Sequence, residues 1–411
     1  MPMDHMPMKS SSLYIHVPYC RRKCIYCDFF SGGASIADWR RYVDAAVSEL
    51  SVRRDELPGV VESIYFGGGT PSLIPTPEWR RLIEGVVAVI GSDSISECCE
   101  ITLEANPEDV DPATVGEWIA GGVNRVSLGV QSFNDTLLKS VGRHHSGDEA
   151  AAALSLLKES IDNVSADLIF GLPGQTEAQL ADDVDRLISL APSHVSLYSL
   201  MYEEGTALTA LRDAGRIGEI DDEVAARMFR LITDRLRAAG YSRYEISNYS
   251  LPGYESRHNS GYWWGRPYLG IGPGAHSYDG DRIRRWNPRD IRGWLDTYAP
   301  CWRDCDSNSD DARLTEGSSA GDSSTGFATE CELLTDHELA EEMIMLSLRT
   351  SAGLPTDRYA SRFGADALSR LMWAAAPLIK AGSMEIDGDR LRITDSGIMT
   401  ADRLIVGLLP D

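Results

Sequence analysis

Between Leu13 and about Leu200 a short β-rich run and a longer stretch with helical spacing succeed one another six times, separated by glycine or polar turns. The runs are Leu13–Val17, Ser63–Phe66, Ile101–Glu104, Arg125–Val130, Ala166–Phe170 and His194–Leu197, with helical patterns such as Trp39–Arg53, Glu78–Ile90, Ala150–Ser160 and Ala178–Leu190 between them. Parallel strands need long crossovers and the crossovers are usually helices, so this alternation predicts an α/β fold with a parallel sheet. We read it as an incomplete (β/α)6 barrel of TIM type. Residues with chemical character follow the strands: three cysteines after the first, Gly67-Gly68-Gly69-Thr70-Pro71 after the second, Glu104 ending the third and Gln131 after the fourth. Parallel α/β proteins gather ligands at the carboxyl ends of their strands, so these groups should share one mouth.

The remaining chain divides by pattern. We expect a tail at 1–12, the barrel at 13–240 and an aromatic, Gly-rich extension at 241–302. An acidic Ser/Gly-rich linker should follow at 303–330, then a C-terminal module at 331–411. That module shows amphipathic helices at Asp336–Leu348 and Pro355–Phe363, a helix at Ala365–Lys380 and a hairpin turning at Asp387-Gly388-Asp389, an arrangement like a winged helix. Winged helices often bind DNA. Here the formal charge of −23 repels phosphate, and Glu385, Asp387 and Asp389 sit on the hairpin itself, so nucleic acid is not an expected partner. No apolar run reaches membrane-spanning or signal-peptide length, and the expected compartment is the cytoplasm.

In a reducing compartment a tight cysteine group reads as metal ligation. Cys20, Cys24 and Cys27 stand three and then two residues apart directly after a strand, while Cys98, Cys99, Cys301, Cys305 and Cys331 scatter. Three thiolates on so short a loop suit a [4Fe-4S] cubane whose fourth iron stays open to a chelating small molecule. Structural zinc would want a fourth protein ligand, and only the Cys301 and Cys305 pair, beside the acidic linker and off any strand, offers one.

These residues resemble the radical S-adenosylmethionine (SAM) family, whose cluster loop has this spacing. The likeness runs from Leu13 to Leu408 and is nearest to the branch holding the oxygen-independent coproporphyrinogen dehydrogenases and the heme chaperones. It implies that methionine of SAM chelates the open iron and that one electron can cleave SAM to a 5′-deoxyadenosyl radical. It also implies that Tyr14, Tyr26, Gly68, Gly69, Thr70, Glu104, Gln131, Arg143 and Asp167 hold SAM.

Within that branch two features separate dehydrogenase from chaperone. Phe29 stands where the dehydrogenases carry a further cysteine, and only nineteen residues precede Cys20, where the dehydrogenases have an extension that shapes the substrate site. His258-Asn259-Ser260-Gly261-Tyr262-Trp263 resembles the HNxxYW signature of the heme chaperones. The implied function is heme binding and delivery to client proteins, with His258 the first candidate for a heme contact and His276 the reserve. A dehydrogenase-like enzyme acting on a tetrapyrrole is the alternative. A homodimer and peripheral membrane contact through clients are compatible with the resemblance, although no basic amphipathic helix supports the latter.

Overall fold

The computed structural model describes residues 10–34, 37–300 and 328–410. The first nine residues, Cys301 and the stretch 303–327, which takes in Cys305 and most of the linker, lie outside the described residues. Six parallel strands stand side by side in chain order: β1 (Ser10–Val17), β2 (Val60–Gly68), β3 (Ile95–Ala105), β4 (Arg125–Gln131), β5 (Asn163–Phe170) and β6 (His194–Ser199). They are buried on both faces, which is why they read in the sequence as continuous apolar runs. Leu13, Ile15, Phe66, Leu103, Val126, Leu128, Leu168 and Val195 are almost completely inaccessible and form one core with the crossover helices.

The sheet continues past both ends of the six. Beyond β6 lie β8 (Asn248–Ser250) and β7 (Ser242–Arg243), both antiparallel; beyond β1 lie β9 (Tyr268–Ile271), β10 (His276–Tyr278), β11 (Ile283–Trp286) and β12 (Glu330–Leu333). Strand β9 is parallel to β1, with Ser12 opposite Tyr268, and the next three are antiparallel. Among the described residues the resulting sheet has twelve strands, and its edge strands do not pair with each other, so the barrel is open. Glu49, fully buried on the helix Trp39–Val52, ties the β9 side down. Its carboxylate accepts from Arg53, Asn287, the Gly272 amide and the Trp294 indole at 2.7–2.8 Å.

The C-terminal module packs helices Asp336–Leu348, Thr356–Phe363 and Ala365–Lys380 against a small antiparallel sheet of β13 (Leu354–Pro355), β14 (Met384–Asp387) and β15 (Arg390–Ile393). Among the described residues no helix is long and apolar enough to cross a membrane.

Candidate functional site

The loop leaving β1 carries Cys20, Cys24 and Cys27, all half-buried and without disulfides. It is pinned from two sides. The Gly69 amide donates to the Val17 carbonyl and the Thr70 amide to the Tyr19 carbonyl, both at 2.8 Å, which presses the glycine turn of β2 against the loop. A Cβ on Gly69 would fall 2.6 Å from the Tyr19 carbonyl oxygen, and one on Gly68, whose φ is +111°, would meet the His16 ring at 2.4 Å. Glycine is required at both places because the backbone approaches too closely for a side chain.

Polar groups face the sulfurs. The Thr70 hydroxyl donates to Cys20 Sγ at 3.5 Å, and Arg143 Nη1 lies 3.8 Å from Cys24 Sγ. Burial, aided by the nearby Cys24 and Cys20 sulfurs and opposed by a backbone hydrogen bond at Phe29 and by Lys23, pushes the Cys27 thiol up to about 11. Three half-buried sulfurs on one short loop, with a hydroxyl and a guanidinium aimed at two of them, fit a centre that brings its own positive charge. Among the described residues no three His, Cys, Asp or Glu side chains stand close enough to hold a single metal ion.

Above the loop the strand ends supply a polar pocket. Glu104 accepts from the Tyr65 hydroxyl at 2.8 Å and the Gly68 amide at 3.1 Å. Burial nevertheless raises it to about 7, with Asp167 adding repulsion. Asp167 accepts from Ser127 and Ser165 at 3.1–3.3 Å, and burial raises it as well. Two buried carboxylates that stay raised despite the single guanidinium of Arg125 nearby fit a cationic ligand, and SAM carries an ammonium and a sulfonium. Arg143 Nη2 donates to Asn106 at 2.7 Å and to the Gly129 carbonyl at 2.6 Å. Gln131 sits at an irregularity in β4 with φ +66°, a conformation costing a non-glycine residue about 1–3 kcal/mol. A Cβ at Gly129 would meet the Gln131 side-chain amide at 3.0 Å and Arg143 Nη2 at 3.1 Å. Tyr14 stacks on Tyr65 at 6.0 Å, and Tyr26 packs against Leu137, Val141 and Leu172.

Of the residues expected to hold SAM, Gly68, Gly69, Thr70, Glu104, Gln131, Arg143 and Tyr26 lie at strand ends or on loops of this mouth, whereas Tyr14 and Asp167 lie within their strands, three residues before the end. Sequence reasoning missed Asn106, which bridges Arg143 and Thr70, and Arg125, fully buried beside Asp167. The available signals were a polar residue just past the end of β3 and a basic residue at the head of an otherwise apolar β4.

His258 departs from expectation. It lies on the helix Arg257–Trp263, whose first amides donate to the Glu100 carboxylate at 3.0 Å, and its ring is buried. Ser63 holds Nδ1 at 2.9 Å and Tyr262 holds Nε2 at 2.8 Å. Ser63 donates onward to Ser12, so Nδ1 donates to Ser63 and the Tyr262 hydroxyl donates to Nε2. Burial lowers the imidazole to about 3, so it stays neutral. As placed, the ring has no free nitrogen for a ligand.

Its neighbours reach open space instead. A cleft of about 490 Å³ runs from the cysteine loop to the C-terminal module. Phe29, Phe30, Tyr262, Trp263 and Trp264 wall it on the barrel side, and Leu339, Met343 and Leu346 on the other. Tyr14 and His16 belong to the same lining, so the cleft and the polar pocket adjoin.

Comparison with known proteins places this arrangement. Residues 14–187 match the radical SAM superfamily and residues 334–400 the HemN C-terminal domain. The chain is 35% identical to a heme chaperone HemW of Mycobacterium tuberculosis, over 98% of this chain and 96% of that one. It is 30% identical to a HemW of Lactococcus lactis, over 99% of each. Radical S-adenosyl methionine domain-containing protein 1 of Bos taurus mitochondria is 33% identical over 97% of this chain and 87% of its own. In fold the chain is similar to coproporphyrinogen III oxidase (HemN) of Escherichia coli, at a TM-score of 0.78 and 20% identity over 98% of this chain and 90% of that one.

Proposed function

The chain belongs to the HemW family of radical SAM proteins, and on that premise we propose that it is a heme chaperone, binding heme and passing it to client proteins. Cys20, Cys24 and Cys27 hold a [4Fe-4S] cluster. SAM is held by Tyr14, Tyr26, Gly68, Gly69, Thr70, Glu104, Gln131, Arg143 and Asp167. When bound, the cluster can supply one electron to SAM. The chain's own residues orient the methionine end beside the glycine turn and offer Glu104 and Asp167 to cationic and hydroxyl groups.

One observation carries the heme assignment: the cleft beside the cysteine loop is walled by aromatic rings that include Tyr262 and Trp263 of the HNxxYW segment. Flat aromatic faces cover a macrocycle well. Phe29, 65% exposed into that cleft, supports an apolar cargo at the position where the decarboxylating branch has a thiol. His258 enters as a positioning residue that fixes the Tyr262 hydroxyl.

The test is a heme titration of the anaerobically reconstituted protein, followed by mixing with a heme-free acceptor protein. Formation of a Soret band and its passage to the acceptor are expected. Failure to bind heme, together with conversion of coproporphyrinogen when SAM and reductant are supplied, would replace the chaperone with a dehydrogenase.

A further inference from the structure

Two imidazoles line the cleft, His16 and His276. His16 is committed: its Nε2 donates to the Phe30 carbonyl at 3.0 Å and its Nδ1 accepts from the Tyr14 hydroxyl at 3.1 Å. His276 is exposed on β10 and stacked on Trp286, with ring centroids 5.9 Å apart and planes inclined by 23°. Among the described residues neither of its ring nitrogens has a hydrogen-bond partner. Desolvation by the cleft walls and the neighbouring Arg289 and Arg284 hold its basicity below the ordinary histidine value, which favours the neutral imidazole that ligates iron.

The same cleft carries guanidinium groups of two kinds. Arg284 is paired with Glu342 at 2.8 Å, and Arg362 lies against Asp281. Arg289 and Arg358 have no carboxylate partner among the described residues, although the chain has 62 acidic against 39 basic residues. Arg289 stands on the barrel wall and Arg358 on the helix Thr356–Phe363 of the facing module. An unpaired arginine in so acidic a chain is free for a carboxylate brought by a ligand, and its planar fork suits one.

Resting on the heme reading above, we infer that His276 is the protein ligand to the heme iron and that Arg289 and Arg358 each take one propionate carboxylate. The cargo then spans the seam between barrel and C-terminal module. Separating the two walls would free one propionate while leaving the iron attached to the barrel.

The test uses the full chain with its cluster reconstituted and hemin as the probe. In wild type the ferric spectrum of a heme with a single histidine ligand, high-spin with water or nothing opposite, is expected. His276→Ala should lose that spectrum and regain it on addition of free imidazole, with iron–sulfur content and far-UV circular dichroism unchanged. Should His276→Ala fail to take up its cluster, His276→Tyr gives the same reading through a high-spin phenolate spectrum. Each of Arg289→Ala and Arg358→Ala should weaken hemin binding roughly tenfold and leave binding of heme dimethyl ester unaltered. If wild type binds no hemin, the chaperone reading itself falls. If wild type binds hemin and both His276 variants keep its spectrum, the ligand assignment alone is overturned. Equal weakening of hemin and of its diester would overturn the propionate assignment.

Discussion

Arg143 reaches Cys24 Sγ with one guanidinium nitrogen, at 3.8 Å, and spans with the other from Asn106 to the Gly129 carbonyl. A single side chain thus ties the cysteine loop to the ends of β3 and β4. Lysine keeps the charge but not the fork, and each part-buried acceptor left without its donor costs about 1–3 kcal/mol. Arg143→Lys should therefore lower unfolding free energy by about 2 kcal/mol and lose iron faster on gel filtration. Unaltered urea midpoints and iron content would show that the fork does not hold the loop.

Gly69 is where backbone meets backbone. A methyl group there would overlap the Tyr19 and Val17 carbonyls, which cannot rotate away as a side chain could. Forcing that contact costs roughly 1–3 kcal/mol and must displace the amides of Gly69 and Thr70 from the loop. Gly69→Ala should bind less cluster than Gly91→Ala, since Gly91 has nothing within 4 Å of its added carbon although its φ is +84°. Iron and sulfide analysis after identical reconstitution checks it. Equal loading of the two variants would mean that the loop tolerates the displacement.

The six parallel strands and the C-terminal hairpin were legible because their apolar runs and turn residues are local signals. Strand β9 was not: it is four residues long, glycine-containing, and recognisable only through its pairing with β1, more than 250 residues earlier in the chain. The cysteine spacing and the glycine turn announced themselves, whereas Asn106 and Arg125 are single polar residues with no pattern around them. His258 shows the limit most clearly. The motif singles it out, but its fate is set by Ser63 and Glu100, which lie 195 and 158 residues away.

Glu49 accepts four hydrogen bonds in a fully buried position, one of them from Arg53, which is itself only 7% exposed. Glu49→Gln replaces one acceptor oxygen by a donor facing two donors and leaves the buried guanidinium with Glu56, which is partly exposed, as its remaining carboxylate partner. Breaking a buried pair in this way costs about 3–5 kcal/mol. Because the donors come from residues 272, 287 and 294, the loss should detach the β9 side from the helix Trp39–Val52. Hydrogen exchange should accelerate first at β9 to β11. A uniform change across the chain, or none, would exclude this local role.

Glu104 makes the ligand-free fold sensitive to pH in a direction that can be worked out. In the unfolded chain it ionises near 4.5, and in the folded chain only near 7, because burial and Asp167 oppose its charge. Between those values the unfolded state has released a proton that the folded state retains, so raising the pH favours unfolding. The loss begins near pH 4.5 and reaches roughly 3 kcal/mol by pH 7. Glu104→Gln has no such proton to lose. Its unfolding free energy minus that of wild type should rise by roughly 2–3 kcal/mol between pH 4.5 and 7, the other titrating groups being common to both proteins. Denaturant unfolding at several pH values measures this, and a difference that stays flat would remove Glu104 as the source. Adding SAM should reverse the comparison at pH 7. A bound ammonium would draw the carboxyl back toward its ordinary range and stabilise wild type more than the variant.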